Sequence, residues 1–185
     1  MTATKNTAGG PATPSGTAGG DLSGSYPNPT VAKSNGRGVV TVLAQTAAPS
    51  SVTGTTTKTV LASVSIPAGA LSANGALRIT PIWSATNNAD AKTVGVQIGS
   101  TLFQSASIAS QASMQTQIIV RNRNSQTSQL FLNSSINNGL GALGNAPATS
   151  TVDFSQAQTL QFFATLGVSG DTATLEGYTV EVLNP

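Results

Sequence analysis

The sequence predicts an all-β protein, built as a single antiparallel β-sandwich preceded by an extended N-terminal arm. Between residues 59 and 66, apolar Val60, Ala62, Val64 and Ile66 alternate with mostly polar residues, as in a half-buried strand. About eight to ten such stretches follow one another, separated by Gly, Asn and Pro at the spacing typical of sandwiches and barrels. No segment has the 3.6-residue repeat of a helix. Strands paired into sheets are therefore the expected architecture.

A change in composition divides the chain into an arm over 1–36 and a body over 37–185. The arm is of low complexity, and its TAGG sequence at 7–10 recurs at 17–20. It has few bulky apolar residues, chiefly Leu22, Tyr26 and Val31. Because such a segment has little apolar surface to bury, we expect it to remain extended and to be held by a neighbouring protein. The body is long enough to enclose one core.

Residues 18–31, AGGDLSGSYPNPTV, form the most informative part of the arm. Paired glycines and the Pro-Asn-Pro sequence exclude a helix. A tyrosine in this setting offers a rigid apolar surface and one hydroxyl, which suits a docking anchor. A surface linker is the alternative interpretation. The predicted docking residues are Leu22, Tyr26, Pro27, Pro29 and Val31.

The composition argues against several classes of function. Charged residues are 8% of the chain, against about 25% in typical domains, and the formal net charge is +2. The chain has no Cys and no His, so it lacks thiolate ligands and the commonest general base. Arg121 and Arg123 are too few cations for a nucleic-acid surface. No apolar stretch is long enough for a membrane helix, and the first ten residues do not resemble a secretory signal. We expect no cofactor, metal, nucleic acid or membrane.

The carboxylates do not form an evident catalytic pair. Glu176 and Glu181 are an odd number of positions apart, so a regular strand would point them to opposite faces. A bulge at Gly177 would change this, but it is not the expectation. Asn87 to Asp90 is the nearest approach to a calcium loop and is a weak match. The sequence therefore predicts a protein that is not an enzyme.

Aromatic residues provide the candidate core and interface positions. Trp83 suits either a sugar-stacking platform or the core, and its position at the end of an apolar strand favours the core. Phe162 and Phe163 are adjacent, so they point to opposite faces of their strand, and Phe131 is paired with Leu132 in the same way. The face outside the sandwich needs a cover. We expect a subunit interface there, formed by Phe131, Phe162 and Phe163; a covering loop is the alternative.

Two stretches of the body resemble a known family. SIPAGALSANGALRITPIWSATNNADAK at 65–92 and DTATLEGYTVEVL at 171–183 are similar to the C-terminal jelly-roll domains of tailed-phage fibre, head-fibre and decoration proteins. Residues 18–31 resemble a stretch that recurs upstream of such domains. The resemblance implies a TNF-like β-sandwich that assembles as a homotrimer. The chain lacks a coiled coil, collagen repeat or β-helical shaft, which favours a position directly on the capsid.

These observations lead to one expected function and two alternatives. The chain is expected to be a homotrimeric capsid decoration, cement or head-fibre protein, made in the bacterial cytoplasm and located on the virion surface. Its arm would bind the major capsid protein or another virion subunit. A short tail fibre or receptor-binding tip that recognises a host-surface glycan is the alternative. A bacterial surface adhesin is disfavoured because the chain does not begin with a secretory signal.

Overall fold

The computed structural model describes residues 15–31, 33–132 and 146–185. The chain forms two compact units, Met1–Val39 and Val40–Pro185. All strand pairs in the described ranges are antiparallel, and those ranges contain no helix. The expected all-β class is therefore confirmed. No helix within these ranges is long and apolar enough to cross a lipid bilayer.

The described part of the N-terminal unit contains short strands, and its two strand pairs are closed by connections that contain glycine. Its strands are β1 (Leu22–Ser23), β2 (Thr30–Val31), β3 (Lys33–Ser34) and β4 (Arg37–Gly38), and β1 pairs with β2 while β3 pairs with β4. Thr17 also bridges to Ser25. The described part of the predicted arm thus folds back on itself instead of running extended. Gly20 and Gly24 have φ of 68° and 89°, which glycine adopts without steric cost.

The boundary between the two units follows Val39, whereas the sequence predicted it after residue 36. The turn between β3 and β4 explains the difference. Asn35 and Gly36 both have positive φ, 53° and 74°. Two positive φ values in a two-residue connection are typical of the type I′ hairpin, for which Asn-Gly is a preferred sequence. A boundary after residue 36 would cut this hairpin in two. The observed boundary follows Val39, after the hairpin is complete.

The body is a sandwich of a smaller and a larger sheet. Its described strands are β5 (Val40–Thr46), β6 (Ser50–Thr53), β7 (Thr59–Ile66), β8 (Ala76–Ala85), β9 (Lys92–Ile98), β10 (Thr101–Ile108), β11 (Ser113–Gln115), β12 (Ile118–Asn122), β13 (Gln129–Phe131), β14 (Ala148–Ser150), β15 (Gln158–Leu166) and β16 (Thr172–Leu183). The smaller sheet has the order β10-β9-β15-β7. The larger has the order β14-β13-β12-β8-β16-β5, with β11 also paired to β8 and β6 to β16.

Aromatic side chains join the two sheets at their inner faces. Phe162 on β15 stacks on Tyr178 of β16 with ring centroids 4.5 Å apart, and it meets the ring of Trp83 on β8 at 6.4 Å. Phe103 on β10 packs against Phe131 on β13 at 4.6 Å. Each contact crosses from the smaller sheet to the larger one. Trp83 is fully buried, which confirms the prediction that it belongs to the core.

Candidate attachment and interface surfaces

Two of the predicted docking residues face each other across a strand pair. Leu22 on β1 is the register partner of Val31 on β2. Val31 is 63% exposed, while Leu22 is half-buried. A β-branched residue exposed to this extent next to a leucine gives the small unit an accessible apolar surface.

The other three predicted docking residues lie in the connection between β1 and β2. Tyr26 and Pro29 are half-buried and Pro27 is exposed. The Tyr26–Pro27 peptide bond is cis, and the Tyr26 amide donates to the carbonyl oxygen of Gly16 at 3.0 Å. All five predicted residues therefore belong to one hairpin and not to a linear segment.

Asp21 connects this hairpin to the next one through hydrogen bonds, a role that the sequence analysis did not predict. Its carboxylate oxygens accept hydrogen bonds from the backbone amides of Asn35 and Gly36, at 2.7 and 2.8 Å. Its carbonyl oxygen accepts from the Lys33 amide at 3.0 Å. One side chain thus satisfies both amides of the β3–β4 turn. The Asn-Gly pair was the available signal, because a type I′ turn leaves amides open to such a carboxylate.

The residues predicted to form a subunit interface are buried within a single chain. Phe162 is fully buried between the sheets, and Phe131 is also part of the core. Phe163 lies on the outer face of the smaller sheet, yet it is only 4% exposed. Phe131 also lines a surface groove described below, and the oligomer and the residues of its interface remain predictions.

The cover over Phe163 comes from the chain itself. Its ring lies over Gly95 of the neighbouring strand β9, where a side chain would collide with it. The Lys58 ammonium lies over the same ring, 3.8 Å from its centroid. Such an arrangement is a cation–π contact. Residues of the same chain therefore shield the Phe163 ring from solvent.

The outer face of the larger sheet exposes apolar side chains on its edge strand. Val40 and Val42 on the edge strand β5 are each 52% exposed. Following the register across the sheet, Val42 is next to Glu181, then Arg78, then Ile119. Exposed valines and a half-buried isoleucine therefore lie on either side of a charged pair.

The charged pair at the centre of this row is bidentate. Arg78 Nε and Nη2 donate to the two carboxylate oxygens of Glu181 at 2.6 and 2.8 Å. The hydrogen bond from Arg78 lowers the pKa of Glu181 below its usual value, and the same bond raises the pKa of Arg78. The pair fixes both side chains in the plane of the face.

A groove opens further along the same face. It has a volume of about 280 Å³, and its lining residues are Gln117, Ile118, Ile119, Arg121, Leu130, Phe131, Leu132 and Pro147. The lining is mostly aliphatic, with a single guanidinium. Such a groove suits an apolar protein side chain better than a polar metabolite.

The expectation that Glu176 and Glu181 point to opposite faces is wrong. The register between β16 and β8 shifts between Leu175 and Gly177, so the strand has a bulge at Glu176. The bulge reverses the alternation, and both carboxylates lie on the outer face. They have separate partners, because Ser84 donates to Glu176 while Arg78 binds Glu181. They do not form an acid–base pair with each other.

The loop from Asn87 to Asp90, which the sequence analysis compared with a calcium loop, belongs to a cluster of polar side chains around Lys92. Asn88 bonds to the carboxylates of Asp90 and Asp171, and the Lys92 ammonium lies among these oxygens. Within the described ranges, no three His, Cys, Asp or Glu residues are grouped so as to hold a metal ion. Lys92 thus supplies the positive charge of this site. No local sequence pattern indicates this cluster, because Asp171 is distant from Asn88 and Lys92 along the chain.

The chain matches no protein-family model and no curated protein sequence.

Proposed function

We propose that this protein is a structural component of a tailed-phage virion, a homotrimeric capsid decoration or head-fibre protein attached through its N-terminal unit. The observation that carries the proposal is the gathering of all predicted docking residues in one small hairpin outside the body. Within it, Val31 is 63% exposed next to Leu22. The major capsid protein or another virion subunit is the proposed partner.

The described part of the N-terminal unit is small. A few short strands bury little apolar surface, and their side chains gain from a partner that covers them. A β-hairpin with an open apolar pair offers both main-chain groups and side chains to such a partner. If each trimer presents three such units, their combined binding exceeds that of one through effective concentration. Weak single contacts then suffice for lasting attachment.

The order of strands supports a jelly-roll interpretation of the body. The chain passes from the smaller sheet at β7 to the larger at β8 and back at β9, and it crosses again between β15 and β16. Jelly rolls are double-sheet structures of antiparallel strands connected in this crossing manner. This agrees with the resemblance of 65–92 and 171–183 to phage fibre and decoration domains.

The homotrimer is supported by the outer face of the larger sheet. Its exposed residues Val40 and Val42 and its apolar groove form an accessible surface on a chain that carries little net charge. Low net charge gives little repulsion between copies. Light scattering by the purified full chain should give three times the mass of one chain, and a monomer at all concentrations would contradict the trimer.

The attachment proposal is tested with two binding partners in parallel. The purified full chain is mixed with capsids that lack it, and separately with intact host cells, and each mixture is sedimented. We expect co-sedimentation with capsids and not with cells, and no capsid binding by residues 40–185. Binding to cells by residues 40–185 would instead support the receptor-binding tip that recognises a host glycan.

A further inference from the structure

A buried lysine, an asparagine and an aspartate meet at one end of the sandwich, between the β8–β9 connection and the start of β16. Lys92 is fully buried, and its Nζ donates a hydrogen bond to Oδ1 of Asn88. Nδ2 of Asn88 donates to Oδ1 of Asp171 at 2.7 Å. Lys92 Nζ lies 3.7 Å from Oδ2 of Asp171. The amine and the carboxyl group therefore contact opposite ends of one side-chain amide.

Backbone contacts hold the three groups in this arrangement. The Thr53 hydroxyl donates to the Asp171 carbonyl oxygen, and the Gly167 amide donates to the Ala91 carbonyl oxygen, both at 2.8 Å. The Thr86 amide donates to the carbonyl oxygen of Thr172 at 3.0 Å. Groups fixed at contact distance react far faster than the same groups free in solution.

The charges at this site are only partly compensated. Asp171 is buried, and its Oδ2 has no hydrogen-bond partner among the residues that the structure describes. Keeping an ammonium and a carboxylate away from water is costly unless each is fully hydrogen-bonded. When Lys92 Nζ closes the 3.7 Å gap to hydrogen-bond distance of Asp171 Oδ2, one proton passes between them, and this transfer removes both charges. It leaves a neutral amine, which is a nucleophile, next to the Asn88 amide.

We propose that Lys92 and Asn88 form an intramolecular isopeptide bond with Asp171 as the proton carrier. Nζ attacks Cγ of Asn88, the new C–N bond forms, and the bond from Cγ to Nδ2 breaks. Of the three protons on the ammonium, one stays on the new amide nitrogen and one stays on the Asp171 carboxyl group. The third joins the two on Nδ2, which leaves as ammonia. The step requires no oxidant, reductant or other reagent.

The bond would replace a buried charged pair with a neutral amide hydrogen-bonded to a protonated Asp171. It closes a covalent ring over residues 88–92 and fixes the connection that precedes β9. The inference does not depend on the proposed virion function, because it rests on chemistry within one chain. A protein held in a particle outside the cell would benefit from such a bond, since it is not reducible.

The first test is the intact mass of the purified full chain, followed by a tryptic map. We expect a mass lower than the sequence mass by one ammonia molecule. Because trypsin does not cleave after an acylated lysine, residues 79–121 should appear as one peptide that carries the loss. The full sequence mass would overturn the proposal. So would an ammonia loss with normal cleavage after Lys92, or a water loss with a link between Lys92 and Asp171.

Two variants and an internal comparison test the assigned roles. Lys92→Arg and Asp171→Ala should both retain the full sequence mass. A complete ammonia loss in Asp171→Ala would overturn the role of the carboxyl group. Lys58 bonds to Gln97 Oε1 at an exposed site, where no carboxyl group of the described residues is bonded to either side chain. Lys58 should therefore remain unmodified and be cleaved normally, in the same wild-type sample.

Discussion

The N-terminal unit and the body are stabilised in different ways. The body buries a continuous apolar layer between its sheets, in which Phe162 contacts both Trp83 and Tyr178. The N-terminal unit is held by glycine turns and by the carboxylate of Asp21, which accepts two backbone amides of the next hairpin. The body is stabilised mainly by burial of apolar side chains. The described part of the N-terminal unit is stabilised mainly by its turns and by hydrogen bonds to Asp21. In the N-terminal unit, Val31 remains largely exposed.

The largest expected effect is on the core of the body. Phe162→Ala removes a fully buried ring and leaves a cavity between the sheets, so it should lower the free energy of unfolding by about 3–5 kcal/mol. Val60 is 43% exposed on the adjacent strand, so Val60→Ala should change it by less than about 0.5 kcal/mol. Denaturant unfolding monitored by tryptophan fluorescence measures both. Equal losses in the two variants would contradict the described core.

A smaller loss of stability is expected from a substitution at Gly95, where β9 and β10 lie close to the ring of Phe163. A Cβ at Gly95 would collide with the Gln104 carbonyl oxygen and the Phe163 ring. Gly95→Ala should therefore cost about 1–3 kcal/mol through overpacking. Gly170→Ala is the matched control, because no atom lies within 4 Å of the added Cβ there. If the same unfolding assay shows no difference between these variants, the close approach of β9 to Phe163 is wrong.

The next effect should be confined to the N-terminal unit. Asp21→Ala removes the acceptor for the amides of Asn35 and Gly36, at about 0.5–1.5 kcal/mol for each hydrogen bond. Hydrogen exchange at these two amides should accelerate, while the midpoint of thermal unfolding of the body stays unchanged. Ser23→Ala, which removes only an exposed hydroxyl pair with Thr30, is the control. A lower body midpoint would mean that the two units are not independent in stability.

The smallest effect concerns the charged pair on the outer face. Arg78 lowers the pKa of Glu181 in the folded protein below the usual 4.5, so the pair stabilises the fold above that value. This stabilisation is lost as the pH falls through the lowered pKa. Glu181→Gln should reduce stability at neutral pH and match the wild type in strong acid. Glu176→Gln removes a charge from the same face without this arginine partner, and it is the control for the substitution itself at neutral pH.

Local patterns in the sequence were enough to predict the strands and the core position of Trp83. They did not reveal strand bulges, which depend on the partner strand. The bulge at Glu176 put both glutamates on one face. A second register shift, between Phe162 and Phe163, turned Val60 outward although its alternation predicted a buried side chain.

Contacts between distant parts of the chain were also beyond the reach of the sequence. Lys92 and Asp171 meet because β9 and β16 both begin at the same end of the sandwich, although the two residues are far apart along the chain. The cover over Phe163 likewise depends on Gly95 and Lys58, which no local pattern connects to it. Both features follow from strand order, which periodicity does not contain.

Capsid binding by variants of the exposed pair tests the central claim most directly. Leu22→Asp combined with Val31→Asp charges the apolar surface of the N-terminal hairpin, whereas Val168→Asp charges a valine of the body that is 46% exposed. Co-sedimentation of each full chain with capsids that lack the protein gives the bound fraction. We predict that the double variant no longer binds while its body unfolds at the wild-type midpoint, and that Val168→Asp binds normally. Undiminished binding by the double variant would contradict attachment through this hairpin.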